Sequence, residues 1–276
     1  MRTADAVTHV ASRLRAAGID DARREARIIL AASLDTDAAG LLSVDHVPAA
    51  AFEDMIARRE RREPLAYILG RREFWGLDFE VSPATLIPRA DSETLIEAAL
   101  AALPDKSAVQ SVLDLGTGTG CLLLAALSEY TAAFGIGIDI APEAAALASR
   151  NAVKLGLSGR AAFIAGSWAD ALGGRFDLIL SNPPYIPGRD IAALMAEVAD
   201  FEPRLALDGG ADGLDAYRLI IAALPWLLAA NGVAVLELGV GQDHTVAILA
   251  ESAGFAAILR KDLAGLPRAI ALTRFK

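Results

Sequence analysis

The chain of 276 residues is poor in the residues that cross-link a fold or bind metals, since it has one cysteine and three histidines. A single thiol, Cys121, cannot form an internal disulfide. His9, His46 and His244 lie far apart, and no paired cysteines accompany them, so the spacing typical of a structural zinc site is missing. We therefore predict a reducing compartment and no bound metal.

An excess of basic charge is also missing. Lysine and arginine together number 26 against 35 aspartates and glutamates, for a net charge of −9 and a pI of about 4.9. Proteins that coat nucleic acids neutralise many phosphates with clustered lysine and arginine. The acidic balance argues against a stable nucleic-acid partner.

Long apolar runs are missing as well. The first 34 residues carry charged side chains throughout and lack the apolar centre of a signal peptide. The run from Ile221 to Ala230 is too short to span a bilayer and contains Pro225. We expect a protein that stays in the cytoplasm and does not enter a membrane.

What the chain does contain predicts two domains, because 54% apolar residues over this length can supply two cores. In the first seventy residues, apolar side chains recur at three- and four-residue spacings, as in amphipathic helices. Examples are Val7, Val10 and Leu14, then Ala26, Ile29 and Leu30, then Phe52, Met55 and Ile56. Residues 1–70 are predicted to form a small helical bundle.

Aromatic and β-branched residues follow between Gly70 and Pro88, around a predicted turn at Gly76-Leu77-Asp78. This pattern favours a hairpin, and we interpret residues 71–88 as a hairpin linker. In residues 89–276, short apolar strands alternate with helical stretches, which predicts an α/β domain with an open, mainly parallel sheet. The strands are predicted at Val112 to Leu115, Phe134 to Asp139, Ala162 to Ile164, Phe176 to Leu180, Val233 to Leu238, Ala256 to Leu259 and Ala269 to Thr273.

A glycine-rich loop follows the first of these strands. Its residues Gly116, Thr117, Gly118, Thr119 and Gly120 connect the strand to a predicted helix that begins at Cys121. Glycines permit a tight turn and let a ligand approach the backbone without meeting a Cβ. Strand, loop and helix together predict a site for a nucleotide-like ligand.

Asp139 ends the next strand, where a carboxylate can accept hydrogen bonds from both hydroxyls of a ribose. The alternative for Asp139 is a turn residue or a cap for the helix after Pro142. Asp114 fits two roles equally well, one at the amino-acid end of a cofactor and one in fixing the loop. Trp168, after the third strand, is predicted to lie against adenine or to serve in ordinary packing.

The fourth strand runs directly into Asn182-Pro183-Pro184-Tyr185. The Asn182 side-chain carbonyl and a backbone carbonyl of the Pro183-Pro184 segment can accept the two N–H donors of a planar amide or amine. Tyr185 offers a flat face to such a group, and the prolines restrict φ and hold the acceptors in place. The glycine loop alone fits a dinucleotide or S-adenosylmethionine. Asp114 before the loop and this tetrapeptide, which has no role in hydride transfer, favour S-adenosylmethionine and methylation of a planar nitrogen.

These motifs, with several flanking segments, resemble the release factor glutamine methyltransferase family (HemK/PrmC). The flanking segments are Glu63 to Tyr67, Arg72 to Gly76, Leu86 to Arg89, Phe201 to Leu207 and Asp212 to Asp215. The resemblance covers nearly the whole chain. It implies a helical N-terminal domain that recognises the substrate and a seven-stranded Rossmann-like methyltransferase domain. The implied reaction is methylation of the glutamine side-chain amide in the Gly-Gly-Gln motif of class I peptide chain release factors.

The resemblance also implies roles for single residues. Gly116 to Gly120, Asp139 and Trp168 would contact S-adenosylmethionine, and Asn182 would touch both cofactor and substrate. Pro183, Pro184 and Tyr185 would line the glutamine pocket, with Leu86 and Arg89 as its front wall. The family's usual Pro-Arg-Pro-Glu-Thr-Glu reads here as Pro88-Arg89-Ala90-Asp91-Ser92-Glu93, which keeps the acidic pattern and loses the second proline.

An alternative reaction is methylation of the exocyclic amine of adenine in nucleic acid, because that group has the same planar geometry with two donors. It predicts a basic recognition domain, which the acidic composition and the small helical N-terminus disfavour. A cofactor-binding adaptor without turnover is a non-enzymatic alternative. The presence of both Asn182 and Asp139 argues against it.

Overall fold

A computed structural model describes residues 1–170 and 172–275. The chain forms two compact units. The first contains Met1–Arg71 together with Met195–Phe201, and the second contains Arg72–Leu194 together with Glu202–Lys276. The segment around residue 200 therefore belongs with the N-terminal helices, which the sequence did not predict.

The first unit begins with helices whose apolar spacing is the predicted one. They are α1 (Thr3–Ala16), α2 (Ala22–Ala32), α3 (Ala49–Glu60) and α4 (Leu65–Leu69). Val10, Leu14, Ile29 and Ile56 are fully buried in one cluster. Since residues three and four apart lie on one helix face, the periodicity places these side chains in a common core.

A two-stranded hairpin follows, formed by β1 (Arg71–Phe74) and β2 (Leu77–Glu80). The predicted turn at Gly76-Leu77-Asp78 is wrong by one residue, since the turn is Trp75-Gly76, with φ of 54° and 70°. Two successive positive φ angles are typical of a type I′ hairpin turn, which follows the natural twist of the strands. Phe74 and Phe79 pack edge to face, with ring centroids 6.4 Å apart, in the core of the second unit.

The sheet of the second unit is built from alternating strands and helices. In chain order these are α5 (Glu93–Ala102), β3 (Ser111–Leu115), α6 (Cys121–Glu129), β4 (Phe134–Asp139), α7 (Pro142–Lys154), β5 (Ala161–Ala165) and β6 (Phe176–Ser181). Helix α7 starts with Pro142 at its first position, where the missing N–H costs no hydrogen bond. β3, β4, β5 and β6 pair in parallel.

A short helix, α8 (Ala196–Ala199), lies in the segment that belongs to the first unit. Its Glu197 carboxylate accepts hydrogen bonds from Arg59 (3.1 Å) and from Arg62 (2.8 Å). Arg59 is only 6% exposed and also donates to Glu25 at 2.6 Å. The guanidinium of Arg59 is thus a buried charge that two carboxylates neutralise.

The remaining elements complete the sheet. They are α9 (Asp215–Leu227), β7 (Leu228–Glu237), α10 (Asp243–Ser252), β8 (Phe255–Lys261) and β9 (Pro267–Arg274). The strand order is β5-β4-β3-β6-β7-β9-β8, with only the pairings of β9 antiparallel. The predicted seven-stranded, mainly parallel Rossmann-like sheet is confirmed. β7 begins at Leu228, earlier than the predicted Val233.

The central strands are buried on both faces. Leu178 and Leu180 contact the core beneath α5 and α6, whereas Ile179 between them contacts the core that includes α9. Successive side chains of a strand point to opposite faces, so a continuous apolar run suits a sheet covered on both sides. Among the described helices, none is both long and apolar enough to cross a bilayer.

Candidate active site

A cavity of about 330 Å³ opens where the chain leaves the carboxyl ends of β3, β4, β5 and β6. The connections from β3 go to β4 on one side and, later in the chain, to β6 on the other. Open α/β sheets bind ligands in the crevice at such a switch in strand order. Every lining residue belongs to the second unit.

The glycine loop forms one wall of this cavity. Gly116, Gly118 and Gly120 have φ of 74°, 53° and 80°, a region that side chains with a Cβ rarely adopt. The N–H groups of Gly116 and Thr117 both donate to the carbonyl of Ile138 at 2.9 Å, which fixes the loop across the end of β4. A Cβ on Gly120 would lie 3.1 Å from the Cβ of Ala148, so this glycine also permits close packing.

Asp139 lies at the edge of the cavity and supports the loop. Its Oδ2 accepts a hydrogen bond from the Gly118 N–H at 2.9 Å, and its Oδ1 accepts one from Ala141 N–H at 3.0 Å. Ala141 is the residue before α7, so Asp139 fixes the entry to that helix. Each carboxylate oxygen has a further acceptor site, which leaves the group able to bind hydroxyls.

Asp114 is completely buried beneath the loop and does not line the cavity. The Thr117 hydroxyl donates to its Oδ2 at 2.6 Å, while its Oδ1 is buried without a hydrogen-bond partner. Burial raises the pKa of Asp114 to about 7, because a charged carboxylate is costly away from water. The structure therefore ties Asp114 to the loop through Thr117.

Trp168 reaches the cavity from the segment after β5. It has a φ of 44°, unusual for a tryptophan, and its ring lies 4.0 Å from where a Gly116 Cβ would stand. The glycine thus leaves room for the indole beside the loop. A flat ring in this position can stack on a planar group in the cavity.

The tetrapeptide begins where β6 ends. The Ser181 hydroxyl donates to the carbonyl of Leu115 at 2.6 Å, which ties the end of β6 to the end of β3. The Gln242 side chain donates to the carbonyl of Tyr185 at 3.0 Å. Asn182 and Pro184 line the cavity, whereas Pro183 and Tyr185 lie outside its lining.

Two glycines pass close to the tetrapeptide backbone. A Cβ on Gly209 would lie 2.8 Å from the Pro184 carbonyl oxygen, and a Cβ on Gly213 would lie 2.4 Å from that of Tyr185. Gly209 N–H also donates to the carbonyl of Ile186 at 2.8 Å. The loop before α9 therefore holds the tetrapeptide at a distance that no larger residue permits.

A buried polar network behind Asn182 was missed by sequence reasoning. The Asn182 side-chain N–H donates to the Ser92 hydroxyl at 3.2 Å, and Ser92 donates to Glu237 at 2.5 Å. The Tyr185 hydroxyl donates to the other Glu237 oxygen at 3.2 Å. Burial raises the pKa of Glu237 to about 7 and that of Tyr185 above its usual value. One signal was present, since Glu237 is a lone carboxylate in an apolar strand.

The segment from Leu86 to Arg89 forms the opposite wall of the cavity. Arg89 donates to Glu202 at 2.5 Å, and the Glu202 side chain is only 1% exposed. Burial raises the pKa of Glu202, and the positive charge of Arg89 opposes that rise. The ion pair holds the Arg89 side chain to the segment that precedes Pro203, another lining residue.

Most of the predicted site residues thus meet at one cavity. Those that line it are Leu86, Arg89, Gly116, Thr117, Gly118, Thr119, Asp139, Trp168, Asn182 and Pro184. Gly120, Asp114, Pro183 and Tyr185 lie outside the lining. Asn151, which the sequence did not suggest, is fully buried and donates to the carbonyl of Thr119 at 2.9 Å, so it supports the loop.

Known families match both parts of the chain. Residues 5–70 match the family model of the PrmC N-terminal domain, and residues 106–207 match that of a methyltransferase domain. The release factor glutamine methyltransferase of Rhodospirillum rubrum is 51% identical over 268 residues, which cover 95% of this chain and 82% of that protein. That of Cereibacter sphaeroides is 46% identical over 278 residues, which cover 98% of each.

A solved structure agrees at the level of the fold. The hMettl16 catalytic domain, solved in complex with the MAT2A 3′UTR hairpin 6, superposes with a TM-score of 0.60 at 15% identity and covers 81% of this chain and 83% of that one. The seven-stranded sheet and the match of residues 106–207 to a methyltransferase domain define a Rossmann-like methyltransferase. Within that class, the chain belongs to the release factor glutamine methyltransferase family.

Proposed function

We propose that this chain transfers a methyl group from S-adenosylmethionine to the glutamine side-chain amide in the Gly-Gly-Gln motif of class I peptide chain release factors. The observation that carries the proposal is one cavity that brings together Asp139, the glycine loop and Asn182. Family membership supports the choice of a glutamine amide among planar nitrogen groups.

The cavity suits S-adenosylmethionine in its size and in the residues that line it. Its volume of about 330 Å³ lies within the usual range for small-molecule sites. Asp139 would hold the ribose, Trp168 would stack on the adenine, and the loop from Gly116 to Gly120 would pass close to the cofactor where a Cβ would intrude. The bound cofactor supplies an electrophilic methyl group on a sulfonium.

The residues of the chain position the amide. Its two N–H groups lie in one plane, and the Asn182 Oδ1 and a backbone carbonyl of the Pro183-Pro184 segment would accept them. These acceptors stabilise the positive charge that develops on nitrogen as it attacks, and the nitrogen then loses a proton to water. Orientation carries most of the rate, since aligned reactants recover roughly 7–11 kcal/mol of barrier.

The domain roles are part of the proposal. Residues 1–70 would recognise the release factor, residues 71–88 would form the connecting hairpin, and residues 89–276 would carry the chemistry. The match of residues 5–70 to a domain named for this family supports the first role. The enzyme would act in the cytoplasm, where translation terminates.

The direct test uses labelled S-adenosylmethionine with four purified acceptors: a class I release factor, its Gly-Gly-Gln glutamine variant, adenine-containing DNA and adenine-containing RNA. Label should enter the release factor and not the variant. Equal labelling of the variant, or label only in nucleic acid, would overturn the proposal.

The role of Asn182 has its own test. Asn182→Ala should lower kcat by roughly a hundredfold or more and leave cofactor affinity largely unchanged, as for the loss of one oriented hydrogen bond in the transition state. Asn231→Ala, an exposed site in β7 outside the cavity, is the matched control and should behave as wild type. An equal loss of cofactor binding in Asn182→Ala would show that Asn182 acts mainly on the cofactor.

A further inference from the structure

The side-chain amide of Asn182 can turn either its Oδ1 or its Nδ2 into the cavity, and only one of these orientations suits the proposed reaction. With Oδ1 toward the substrate, the group accepts an N–H from the substrate amide. With Nδ2 toward it, two donors face each other. Oxygen and nitrogen of the side-chain amide have nearly the same shape, so packing alone does not select between them. A neighbouring hydrogen-bond partner must do so.

That partner is Ser92, which is 2% exposed. Its hydroxyl oxygen lies 2.5 Å from Glu237 Oε2 and 3.2 Å from Asn182 Nδ2. A serine hydroxyl has one proton, and an ionised carboxylate only accepts. The proton of Ser92 is therefore committed to Glu237, so toward Asn182 the hydroxyl can only accept. An acceptor at this point requires the N–H₂ end of Asn182.

We propose that Glu237 and Ser92 are positioning residues that select the amide orientation of Asn182, turning its Oδ1 toward the substrate. The inference rests on the proposed function of the cavity. Neither residue needs to touch the reacting nitrogen. Ser92 supplies the acceptor, and Glu237 holds the Ser92 proton away from Asn182.

The surroundings of Glu237 favour this arrangement. Its second oxygen accepts a hydrogen bond from the Tyr185 hydroxyl at 3.2 Å, and its backbone carbonyl accepts one from Tyr217 at 2.8 Å. Arg268 on β9 attracts its charge, whereas Asp91 repels it. The half-buried thiol of Cys121 on α6 also lies close enough to Glu237 for the two groups to interact electrostatically. Both side-chain oxygens of Glu237 therefore accept a hydrogen bond, one from Ser92 and one from Tyr185.

Protonation of Glu237 reverses the direction of the hydrogen bonds that connect Glu237, Ser92 and Asn182. A proton on Oε2 donates to Ser92, which frees the Ser92 proton to donate toward Asn182. Asn182 Oδ1 then accepts the hydrogen bond from the Ser92 hydroxyl, so Nδ2 faces the cavity. Because the pKa of Glu237 is raised to about 7, this change falls in an accessible range of pH.

The first experiment removes the acceptor. Ser92→Ala should lower kcat for the release factor by roughly three- to tenfold, the effect of one net hydrogen bond, with KM and cofactor affinity nearly unchanged. Ser92→Thr keeps the hydroxyl and should restore most of the rate. Ser128→Ala, whose hydroxyl donates to the Ala125 carbonyl outside the cavity, is the matched control. A wild-type kcat in Ser92→Ala, or no rescue by threonine, would overturn the proposal.

The second experiment observes Asn182 directly and needs no substrate. With ¹⁵N-labelled asparagine, only Asn151, Asn182 and Asn231 give side-chain amide resonances, and Asn182→Ala identifies the resonance of interest. In wild type the Asn182 resonance should shift with pH, with a midpoint near pH 7. This shift should be absent in Glu237→Gln and should remain in Asp114→Asn. If the Asn182 resonance still shifts in Glu237→Gln as in wild type, the inference is refuted, whatever the acceptor assays show about the proposed function.

Discussion

Replacing Asp114 by asparagine should stabilise the second unit at alkaline pH. Asp114 is fully buried, with one oxygen unpaired, and burial raises its pKa from 3.8 to about 7. The unfolded chain releases this proton near pH 4, whereas the folded protein keeps it until about pH 7. Stability therefore falls as pH rises through this window and levels off above it. At 1.36 kcal/mol per pH unit, the loss between pH 5 and pH 8 is about 3 kcal/mol.

The assay is urea unfolding at both pH values, followed by tryptophan fluorescence. Trp75, Trp168 and Trp226 all lie in the second unit, so the signal reports the unit that contains Asp114. Asp114→Asn should lose about 3 kcal/mol less than wild type between pH 5 and pH 8. Asp170→Asn, at an exposed site, should follow wild type. Parallel losses in wild type and Asp114→Asn would refute the assignment of a buried, neutral carboxyl.

Three further predictions concern packing and backbone. Arg59→Ala should destabilise the helical unit by about 3–5 kcal/mol, because it leaves the carboxylate of Glu25 unpaired and removes one of the two arginine partners of Glu197. Hydrogen exchange in α1 to α4 should show the loss, and unchanged protection would contradict it. Gly76→Ala should lower the free energy of unfolding in urea by about 1 kcal/mol, because φ at this position is +70° while the added Cβ would meet no atom. Gly159→Ala is the control, at an open site with ordinary φ, and should not destabilise the protein. Equal effects of the two variants would count against a backbone cause. Gly137→Ala places a Cβ 2.6 Å from Phe163 and 2.6 Å from the Thr117 hydroxyl of the glycine loop, so it should weaken cofactor binding by roughly tenfold in calorimetry. Wild-type affinity would show that the loop adjusts freely.

The strands were predictable because their periodicity carries the fold. Leu178 and Leu180 face one core and Ile179 the other, so a continuous apolar run predicts a strand buried on both sides. The turn of the hairpin was not predictable in the same way. Trp75 is held at positive φ by distant groups, since Glu93 accepts its backbone N–H at 2.8 Å and Glu129 accepts its indole N–H at 2.8 Å.

In the site, too, the residues that are contiguous in sequence were predictable and those that are distant in sequence were not. The glycine loop and the tetrapeptide are contiguous in sequence, so their residue types and order indicate the chemistry. The network behind Asn182 is not contiguous, because Ser92 and Glu237 lie 145 positions apart and meet only through the sheet. A carboxylate at the end of an apolar strand indicates a buried polar contact without naming its partner.

The buried ion pair between Arg59 and Glu197 has a consequence for the order in which the protein is made. A ribosome releases α1 to α4 long before residue 197 is synthesised. During that interval Arg59 has Glu25 as a partner, and the helical unit lacks the segment that completes it. The N-terminal helices therefore reach their final ion pairing only after most of the catalytic sheet has left the ribosome, which couples the maturation of one unit to the synthesis of the other.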